Sequence, residues 1–361
     1  MFENFLSVCK DVTKTTRKIP QGEYLSDGTY KIFDQGKNYI GGYCNTANGV
    51  ASDYPYIVFG DHTRVIKYIN EPCYIGADGV KLLKVYNNDF IPKFVYYAML
   101  ANPVEHQGYS RHFKLLKETK IRKYDKSIQN TIIDELDKIN LAISLKESIL
   151  NHLDELVKSR FIEMFGTLDL SIQGESWLPL SEISTIYTGT TPSTKEKENW
   201  DGKIPWITPA ELSEDSFFVF DSERKITEKG LKSKSLSLMP KNTVLLSTRA
   251  PIGKVAIAGI EMCCNQGFKN FHCNNTILNP IYLYTLLKNN NEYLNSLGTG
   301  TTFKEISKTN VSKIKVPVAN ISLQNEFADF VKLIDKSKFI VQKQIDDLQE
   351  LLDSKMDEYF G

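Results

Sequence analysis

The chain has 361 residues, of which 41% are hydrophobic and 24% charged, and its formal net charge at pH 7 is zero. This composition is typical of a soluble globular protein, and the length allows two or three domains. No apolar run is long enough to span a membrane, and Glu3 and Lys10 interrupt the N-terminal stretch where a signal peptide would be apolar, so we expect a cytoplasmic protein.

Residues 1–122 are predicted to form a first domain of mixed strand and helix. "YPYIVFG" (54–60) is typical of a short buried strand, and "VIKYI" (65–69) of its hairpin partner. Pro92 precedes an aromatic-rich stretch and suits the first position of a helix. The segment carries a net charge of +4, which permits a nucleic-acid partner without requiring one.

Residues 123–166 are predicted to form one long helix. Its apolar residues recur in steps of three and four, the spacing of a coiled-coil seam, and Gly166 suits the position after a helix end. At about 1.5 Å per residue such a helix is roughly 55 Å long. The seam consists of Ile132, Leu136, Ile139, Ile143, Leu150, Leu153, Val157 and Met164.

Residues 167–318 are predicted to form a second domain that is a copy of the first. With an offset of 188, "GVKLLKVYNNDFIPKFVYYAML" (79–100) overlays "GFKNFHCNNTILNPIYLYTLLK" (267–288), and Pro280 stands where Pro92 does. "NTVLLST" and "GKVAIAG" repeat the strand pair of the first copy. We therefore expect two domains with the same arrangement of elements.

Four loops of this second domain are rich in hydroxyl, amide and basic side chains: "TGTTPSTKEKENW" (188–200), "STRAPIGK" (247–254), "CNQGFKN" (264–270) and "LGTGTTFKE" (297–305). Side-chain amides can pair bidentately with adenine, and lysine and arginine hold phosphate. Any one loop is explained as a solvated surface, but four without a catalytic residue set favour DNA contact. The candidates are Thr190, Thr191, Ser193, Lys195, Lys197, Arg249, Lys254, Asn265, Gln266, Lys269, Thr299, Thr301 and Lys304.

Residues 319–361 repeat the first long helix. With a constant offset of 195, residues 323–361 overlay residues 128–166, and eleven of the 39 pairs are identical, including Gln129/Gln324 and the closing Phe165-Gly166/Phe360-Gly361. We expect the two helices to pair antiparallel, which would place the domains at opposite ends of a rigid spacer. The alternative is that each helix packs on its own domain.

No catalytic or metal-binding pattern was found. There is no G-x-x-x-x-G-K-[ST] loop, and the six cysteines lack zinc-binding spacing, which favours free thiols. "NPIY" (279–282) differs from the Asn-Pro-Pro-Tyr motif of amino-methyltransferases at Ile281, and a helix start explains it better. We therefore predict that the chain is not an enzyme.

The order of these features resembles the specificity subunit of type I restriction–modification systems. The landmarks "GTTP", "IPWITPAEL", "STRAPIGKVAIA", "CNQGF", "NPIYLYTLL" and "VSKIKVPV" with "LQNEF" follow one another as in that family's target-recognition domains. The resemblance implies an α+β (mixed α/β) fold of two target-recognition domains, 1–122 and 167–318, separated by spacer helices 123–166 and 319–361.

This resemblance also implies function and partners. Each domain would read one half of a bipartite, asymmetric target in double-stranded DNA, and the helices would set the gap and dock two methyltransferase subunits. No cofactor is expected in this chain. S-adenosylmethionine would be bound by the methyltransferase, which modifies adenine, and ATP and Mg by restriction subunits.

The first half departs from the pattern of the second. It has no "GTTP"-like loop, "GADG" (76–79) stands where the second copy has "NQG", and "IRKYDKSIQN" lacks the proline of "IKVPV". Its candidate DNA-binding residues are Lys14, Arg17, Lys37, His62, Arg64, Arg111 and His112. Two alternatives stay open: a specificity protein of another methylation-based phage-defence system, and a coiled-coil scaffold that binds proteins.

Overall fold

A computed structural model describes the chain except for residues 109, 173, 214–215, 235 and 301–303. It divides into two compact units, Met1–Ser148 with Gln342–Gly361 (unit 1) and Ile149–Val341 (unit 2). Both units mix strands and helices, as the sequence predicts. No helix among the described residues is long and apolar enough to cross a membrane.

Unit 1 begins with short strands and ends its globular part at the first long helix. The elements are β1 Phe2–Asn4, α1 Phe5–Val8, β2 Cys9–Asp11, β3 Lys18–Ile19, β4 Tyr30–Phe33, β5 Gly42–Cys44, β6 Tyr56–Gly60, β7 Ile66–Ile69, β8 Cys73–Gly76, β9 Val80–Val85, α2 Pro92–Ala101, α3 Phe113–Leu116, β10 Lys120–Arg122 and α4 Lys126–Phe165, whose second part belongs to unit 2.

Unit 2 repeats this order with longer connections. Its elements are β11 Leu178–Pro179, α5 Leu180–Ile183, β12 Ser184–Thr188, β13 Trp200–Ile207, β14 Phe218–Val219, β15 Lys225–Ile226, α6 Glu228–Ser233, β16 Val244–Leu246, β17 Val255–Ala258, β18 Cys263–Cys264, β19 Lys269–Cys273, α7 Pro280–Asn289, α8 Asn291–Ser296, α9 Lys308–Ser312, β20 Lys315–Val316 and α10 Ile321–Phe360, whose last part belongs to unit 1.

The main sheets of the two units have the same topology. In unit 1 the order is β2-β9-β6-β7, and in unit 2 it is β12-β19-β16-β17 with β14 added beside β17. The shared pairs are all antiparallel, and the predicted hairpins β6–β7 and β16–β17 are confirmed. A smaller sheet in each unit contains a parallel pair, β4 with β8 and β13 with β18. The duplication seen in the sequence therefore covers the whole domain.

The predicted proline-initiated helices are confirmed, since Pro92 and Pro280 occupy the first turns of α2 and α7. Both helices lie against the main sheet of their unit and contribute to its core. The six cysteines are buried and form no disulfide, as expected of free thiols. Burial raises the pKa of the Cys73 thiol to about 12.

The Phe-Gly sequence that ends each long helix places its phenylalanine in a hydrophobic core. In unit 1 the Phe360 ring packs 5.2 Å from Phe94 on α2. In unit 2 the Phe165 ring packs 4.8 Å from Tyr282, which occupies the corresponding position on α7. Gly166 then leaves the helix with a φ of +78°, a conformation that favours glycine.

Contacts between α4 and α10 run antiparallel within each unit. In unit 1 Lys146 Nζ donates to Gln344 Oε1 at 2.7 Å, and Lys355 lies 3.3 Å from Glu135. The partner number on α10 thus falls as the number on α4 rises. Unit 2 shows the same direction in the pairs Lys338–Asp154 (2.8 Å) and Arg160–Glu326 (3.2 Å).

Each helix also packs on the globular body that precedes it in the chain, as the alternative expectation predicted, in addition to its antiparallel contacts with the other helix. Ile132 and Leu136 of α4 belong to the core of unit 1, and Phe327 and Val331 of α10 to the core of unit 2. Lys146 of α4 and Lys338 of α10 each donate a hydrogen bond to a polar side chain of the opposite helix, Gln344 and Asp154.

Candidate nucleic-acid interface

Hydrogen bonds join two of the four predicted loops at one end of the unit 2 sheet. Thr191 Oγ1 donates to Gln266 Oε1 at 2.7 Å, and Thr190 N donates to the carbonyl oxygen of Cys264 at 3.1 Å. Gly189 makes this approach possible, because a Cβ there would lie 2.1 Å from the carbonyl oxygen of Asn265. The loops 188–200 and 264–270 therefore form one surface.

The other two loops join the same surface through an ion-pair cluster around Glu305. Arg249 Nε donates to Glu305 Oε2 at 2.9 Å, and Lys269 Nζ lies 3.3 Å from Glu305 Oε1. The backbone N–H of Thr248 donates to the carbonyl oxygen of Gly267 at 2.7 Å, which ties loop 247–254 to loop 264–270. Thr299 N donates to the Glu305 carbonyl oxygen at 3.1 Å.

Two opposing effects act on the pKa of Glu305. Partial burial raises it, but the hydrogen bond from Arg249 and the positive charges of Lys269 and Arg249 outweigh burial and lower the pKa below its usual value. Glu305 is therefore a carboxylate at neutral pH, and it fixes both cations in place.

Gln266 and Asn265 differ in how much of the amide is left for a ligand. Gln266 is exposed and uses only its oxygen, which accepts from Thr191. Asn265 is half-buried, and its Oδ1 accepts from the backbone N–H of Gly267 at 2.9 Å, so it also shapes its own turn. Gln266 is thus the better placed of the two for contact with a base edge.

Most of the remaining candidates in unit 2 are at the surface. Ser193 is half-buried, and its carbonyl oxygen accepts from Trp200 Nε1 at 3.1 Å. Thr301 lies outside the described residues. The exposed candidates are Thr190, Lys195, Lys197, Arg249, Thr299 and Lys304.

The structure corrects the prediction that Lys269 and Lys254 contact DNA directly. The Lys269 side chain is 8% exposed and its ammonium is used by Glu305, Thr248 and the carbonyl of Gln266. Lys254 Nζ donates to the carbonyl oxygens of Leu212 and, at 3.4 Å, Pro209. Both lysines connect loops through hydrogen bonds inside the protein. The sequence alone does not distinguish a lysine in this role from one that binds phosphate.

In unit 1 the predicted residues do not form a comparable cluster. Lys14, Arg17, Lys37 and Arg111 are exposed, and Arg17 pairs with Glu23 at 3.5 Å. His62 and Arg64 are half-buried and contact the carbonyl oxygens of Ser110 (3.2 Å) and Val104 (3.0 Å).

His112 is corrected as a DNA contact of unit 1. It is completely buried, and Nδ1 lies 3.0 Å from the carbonyl oxygen of Asp61. Its Nε2 accepts from Gln107 N at 3.1 Å, so both ring nitrogens are used inside the protein. The ring also packs 5.7 Å from that of His106.

Sequence reasoning missed Arg224, which stacks on Trp200 beside loop 188–200. No motif marks this arginine, because its aromatic partner Trp200 lies on β13, far from it in the sequence. The closely spaced tryptophans Trp200 and Trp206, two of the three in the chain, were the only signal that could have pointed to it.

A family model described as the type I restriction modification DNA specificity domain matches residues 177–350, a range that contains all four loops. The MjaIX specificity subunit of Methanocaldococcus jannaschii is 37% identical over 185 residues, which are 50% of this chain and 43% of that protein. The EcoR124I/EcoR124II specificity subunit of Escherichia coli is 26% identical over 357 residues, 93% of this chain and 86% of that protein. Residues 177–350 therefore match the DNA specificity domain of type I restriction–modification systems, and the chain as a whole is similar to specificity subunits of type I restriction enzymes.

Solved structures show the specificity-subunit fold across the chain. The S subunit of the type I system from M. genitalium covers 100% of this chain and 96% of its own, with a TM-score of 0.63 at 16% identity. A chain from a study of complex assembly and conformational transition of the type I R-M system gives a TM-score of 0.56 at 14% identity, and the match covers 100% of this chain and 97% of that one. The curated match to the archaeal specificity subunit spans less than half of that relative's length.

Proposed function

We propose that this chain is the DNA-reading, non-catalytic subunit of a type I restriction–modification complex, and that each unit reads one half of a bipartite target. The observation that carries the proposal is the duplicated sheet with unlike residues at equivalent loop positions. At the offset of 188, the exposed Asp78 after β8 corresponds to the exposed Gln266 after β18. Two copies of one frame with different polar side chains suit two different half-sites.

The composition of the unit 2 loop surface supports contact with DNA. Lys195, Lys197 and Lys304 are exposed cations that can approach phosphates. Gln266, in another of the four loops, presents an exposed side-chain amide. Phosphate contacts position a protein on the duplex, and base contacts give specificity. A surface with both kinds of group meets both requirements.

The long helices would set the gap between half-sites and dock two methyltransferase subunits. Residues 123–166 and 319–361 carry net charges of −2 and −4, so they repel phosphate and suit a protein partner. Apolar side chains remain exposed on them, among them Leu141 and Leu145 in unit 1 and Phe339 and Ile340 in unit 2. Methyl transfer from S-adenosylmethionine would then occur in the partner, and ATP- and Mg-dependent cleavage in restriction subunits.

The test is to sequence methylated adenines in DNA from cells that express this chain with and without its cognate modification subunit. We expect methylation at one bipartite motif only when both are present. Methyl transfer by the purified chain alone would contradict the non-catalytic role. DNA binding that is independent of sequence and insensitive to salt would instead favour a protein-binding scaffold.

A further inference from the structure

Arg224 is held against a pair of tryptophans in unit 2. Its guanidinium carbon lies 3.5 Å from the centroid of the Trp200 ring and 5.4 Å from that of Trp206. The two indoles are buried and pack edge to face, with centroids 5.1 Å apart and an interplanar angle of 88°. A cation over an indole face is attracted by the ring quadrupole, so the arginine has a preferred position before any ligand binds.

The backbone of Arg224 is fixed to the same strand as the aromatic platform. Trp206 N donates to the Arg224 carbonyl oxygen at 3.0 Å, and the Ser222 hydroxyl donates to that oxygen at 2.7 Å. The backbone of Arg224 is thus fixed by hydrogen bonds, and its guanidinium group lies on the Trp200 ring. A planar guanidinium held in this way loses less conformational freedom when it forms hydrogen bonds to a ligand.

The Trp200–Trp206 pair is hydrogen-bonded directly to the candidate DNA-binding loops. Trp206 Nε1 donates to the carbonyl oxygen of Thr190 at 3.0 Å, and Trp200 Nε1 to that of Ser193 at 3.1 Å. On the other side, Asn265 N donates to the carbonyl oxygen of Ile207 at 3.1 Å. Arg224 therefore belongs to the framework that supports loops 188–200 and 264–270.

The guanidinium of Arg224 has donors to spare. The residue is exposed, and among the residues that the structure describes no carboxylate lies within ion-pair distance of it. The adjacent cation is occupied, since Lys225 pairs with Asp221 at 3.0 Å. An arginine that is positioned but unpaired, at the edge of a recognition surface, is suited to an external anion or acceptor pair.

We propose that Arg224 is a DNA-contacting residue of unit 2 that donates two parallel hydrogen bonds to a pair of acceptors on the duplex. Guanine O6 with N7, or two oxygens of one phosphate, present such a pair. This inference rests on the proposed function and adds to it a contact residue that lies outside all four predicted loops.

The experiment selects bound sequences from a randomised duplex library with the full-length chain in complex with its modification subunit. Arg224→Ala should lower affinity for the wild-type motif by about 5- to 150-fold, the range of one bidentate contact. Arg224→Lys keeps the charge and removes the planar fork. Arg122→Ala is the matched control, because Arg122 also stacks on an aromatic ring, Tyr124 at 5.1 Å, but lies in β10 of unit 1.

The pattern of loss identifies the acceptor. If Arg224 reads guanine, both variants lose preference at one base pair of one half-site, and the other half-site is unchanged. If it holds phosphate, Arg224→Ala weakens all sequences alike and reduces the salt dependence by about one ion, while Arg224→Lys is close to wild type.

An Arg224→Ala complex with wild-type affinity, motif and salt dependence would overturn the inference while leaving the proposed function intact. A wild-type complex that selects no sequence at all would instead overturn the proposed function, and this inference with it. Thermal unfolding of each variant separates loss of contact from loss of fold, and an Arg224→Met variant keeps the apolar stem on Trp200 if the alanine variant unfolds.

Discussion

Gln129 and Gln324 occupy the same position of the repeated helix, and each uses its buried amide to fix the loop before the proline-initiated helix. Gln129 Oε1 accepts from Ile91 N at 2.8 Å, and Nε2 donates to the carbonyl oxygens of Asp89 (2.7 Å) and Tyr124 (2.8 Å). Gln324 makes the equivalent bonds in unit 2, with Asn279 N, Ile277 O and Ala319 O. One identical pair in the sequence therefore corresponds to one identical network.

Replacing either glutamine with alanine should destabilise its own unit. Each substitution leaves three backbone groups without their partner, and we expect a loss of about 3 kcal/mol in the free energy of unfolding. Urea unfolding followed by circular dichroism measures it. Asn130→Ala is the control, because Asn130 is the exposed neighbour of Gln129. Equal stability of Gln129→Ala and Asn130→Ala would contradict this role.

Glu305 makes the loop surface of unit 2 sensitive to acid. Its pKa is lowered in the folded protein, so its contribution to stability is present above the unfolded pKa of about 4.3 and is lost as the pH falls through the folded value. Glu305→Gln should therefore lower the Tm at pH 7, and the difference from wild type should shrink below about pH 4. Glu292→Gln, an exposed change on α8, should show no such dependence. A Tm difference that stays constant with pH would argue against the ion-pair cluster.

At the residue scale, the sequence predicted four loops that the structure joins on one surface, but it did not predict which side chains stay available there. Gln266 is exposed as expected, because glycine-containing turns lie at the protein surface and their polar side chains point to solvent. Lys254, Lys269 and His112 were misassigned, because their partners are backbone carbonyls or a carboxylate brought near only by folding. Stacking of Arg224 on Trp200 depends on strand pairing in the same way and carries no local signal.

At the element scale, local rules were sufficient. Proline at a helix start, alternating hairpin strands and a seam in steps of three and four predicted α2, α7, both hairpins and both long helices. The predicted helix segments extend beyond α4 and α10 by only a few residues. Asp125 and Asn320, residue types preferred at a helix N-cap, stand directly before the two helices and mark their starts more closely. The sharing of each helix between two units could not be read from spacing.

The exposed apolar residues of α10 provide a test of partner docking. Phe339 is 73% exposed and Ile340 57%, so replacing both with serine removes surface that the fold of this chain does not use. We expect an unchanged Tm and at least a tenfold weaker association with the modification subunit, as for loss of an interface hot spot. Titration calorimetry measures the affinity, and Lys343→Ser on the same helix is the control. Unchanged affinity in the double variant would place the docking surface elsewhere.

At the scale of the whole molecule, the chain is a duplication whose copies have kept their framework and changed their loops. The β2-β9-β6-β7 order recurs as β12-β19-β16-β17, and a buried glutamine joins each copy to a long helix. The positions that differ, such as Asp78 against Gln266, lie in exposed loops. A shared core with different exposed loops fits the proposal that each unit reads its own half-site.

If the paired helices set the gap between half-sites, lengthening one should change the gap and not the bases. A four-residue insertion in α4 adds about 6 Å and keeps the apolar seam nearly in phase, so the gap should lengthen by about one or two base pairs. A two-residue insertion rotates the seam by about 200° and should instead destabilise the protein. Methylated motifs and Tm values of both variants provide the readout. A four-residue variant that recognises different bases would show that the helices do not set the gap.

The most direct test of recognition by separate units is the methylated motif of a variant altered only in unit 2. In Asn265→Ala/Gln266→Ala the amides of one loop are removed, while Asn275→Ala changes an exposed amide beyond the opposite end of β19. We expect the double variant to relax one half of the bipartite motif by one or two bases and to leave the other half and the gap unchanged, and Asn275→Ala to methylate the wild-type motif. Relaxation of both halves together, or an unchanged motif in the double variant, would contradict the assignment of one half-site to each unit.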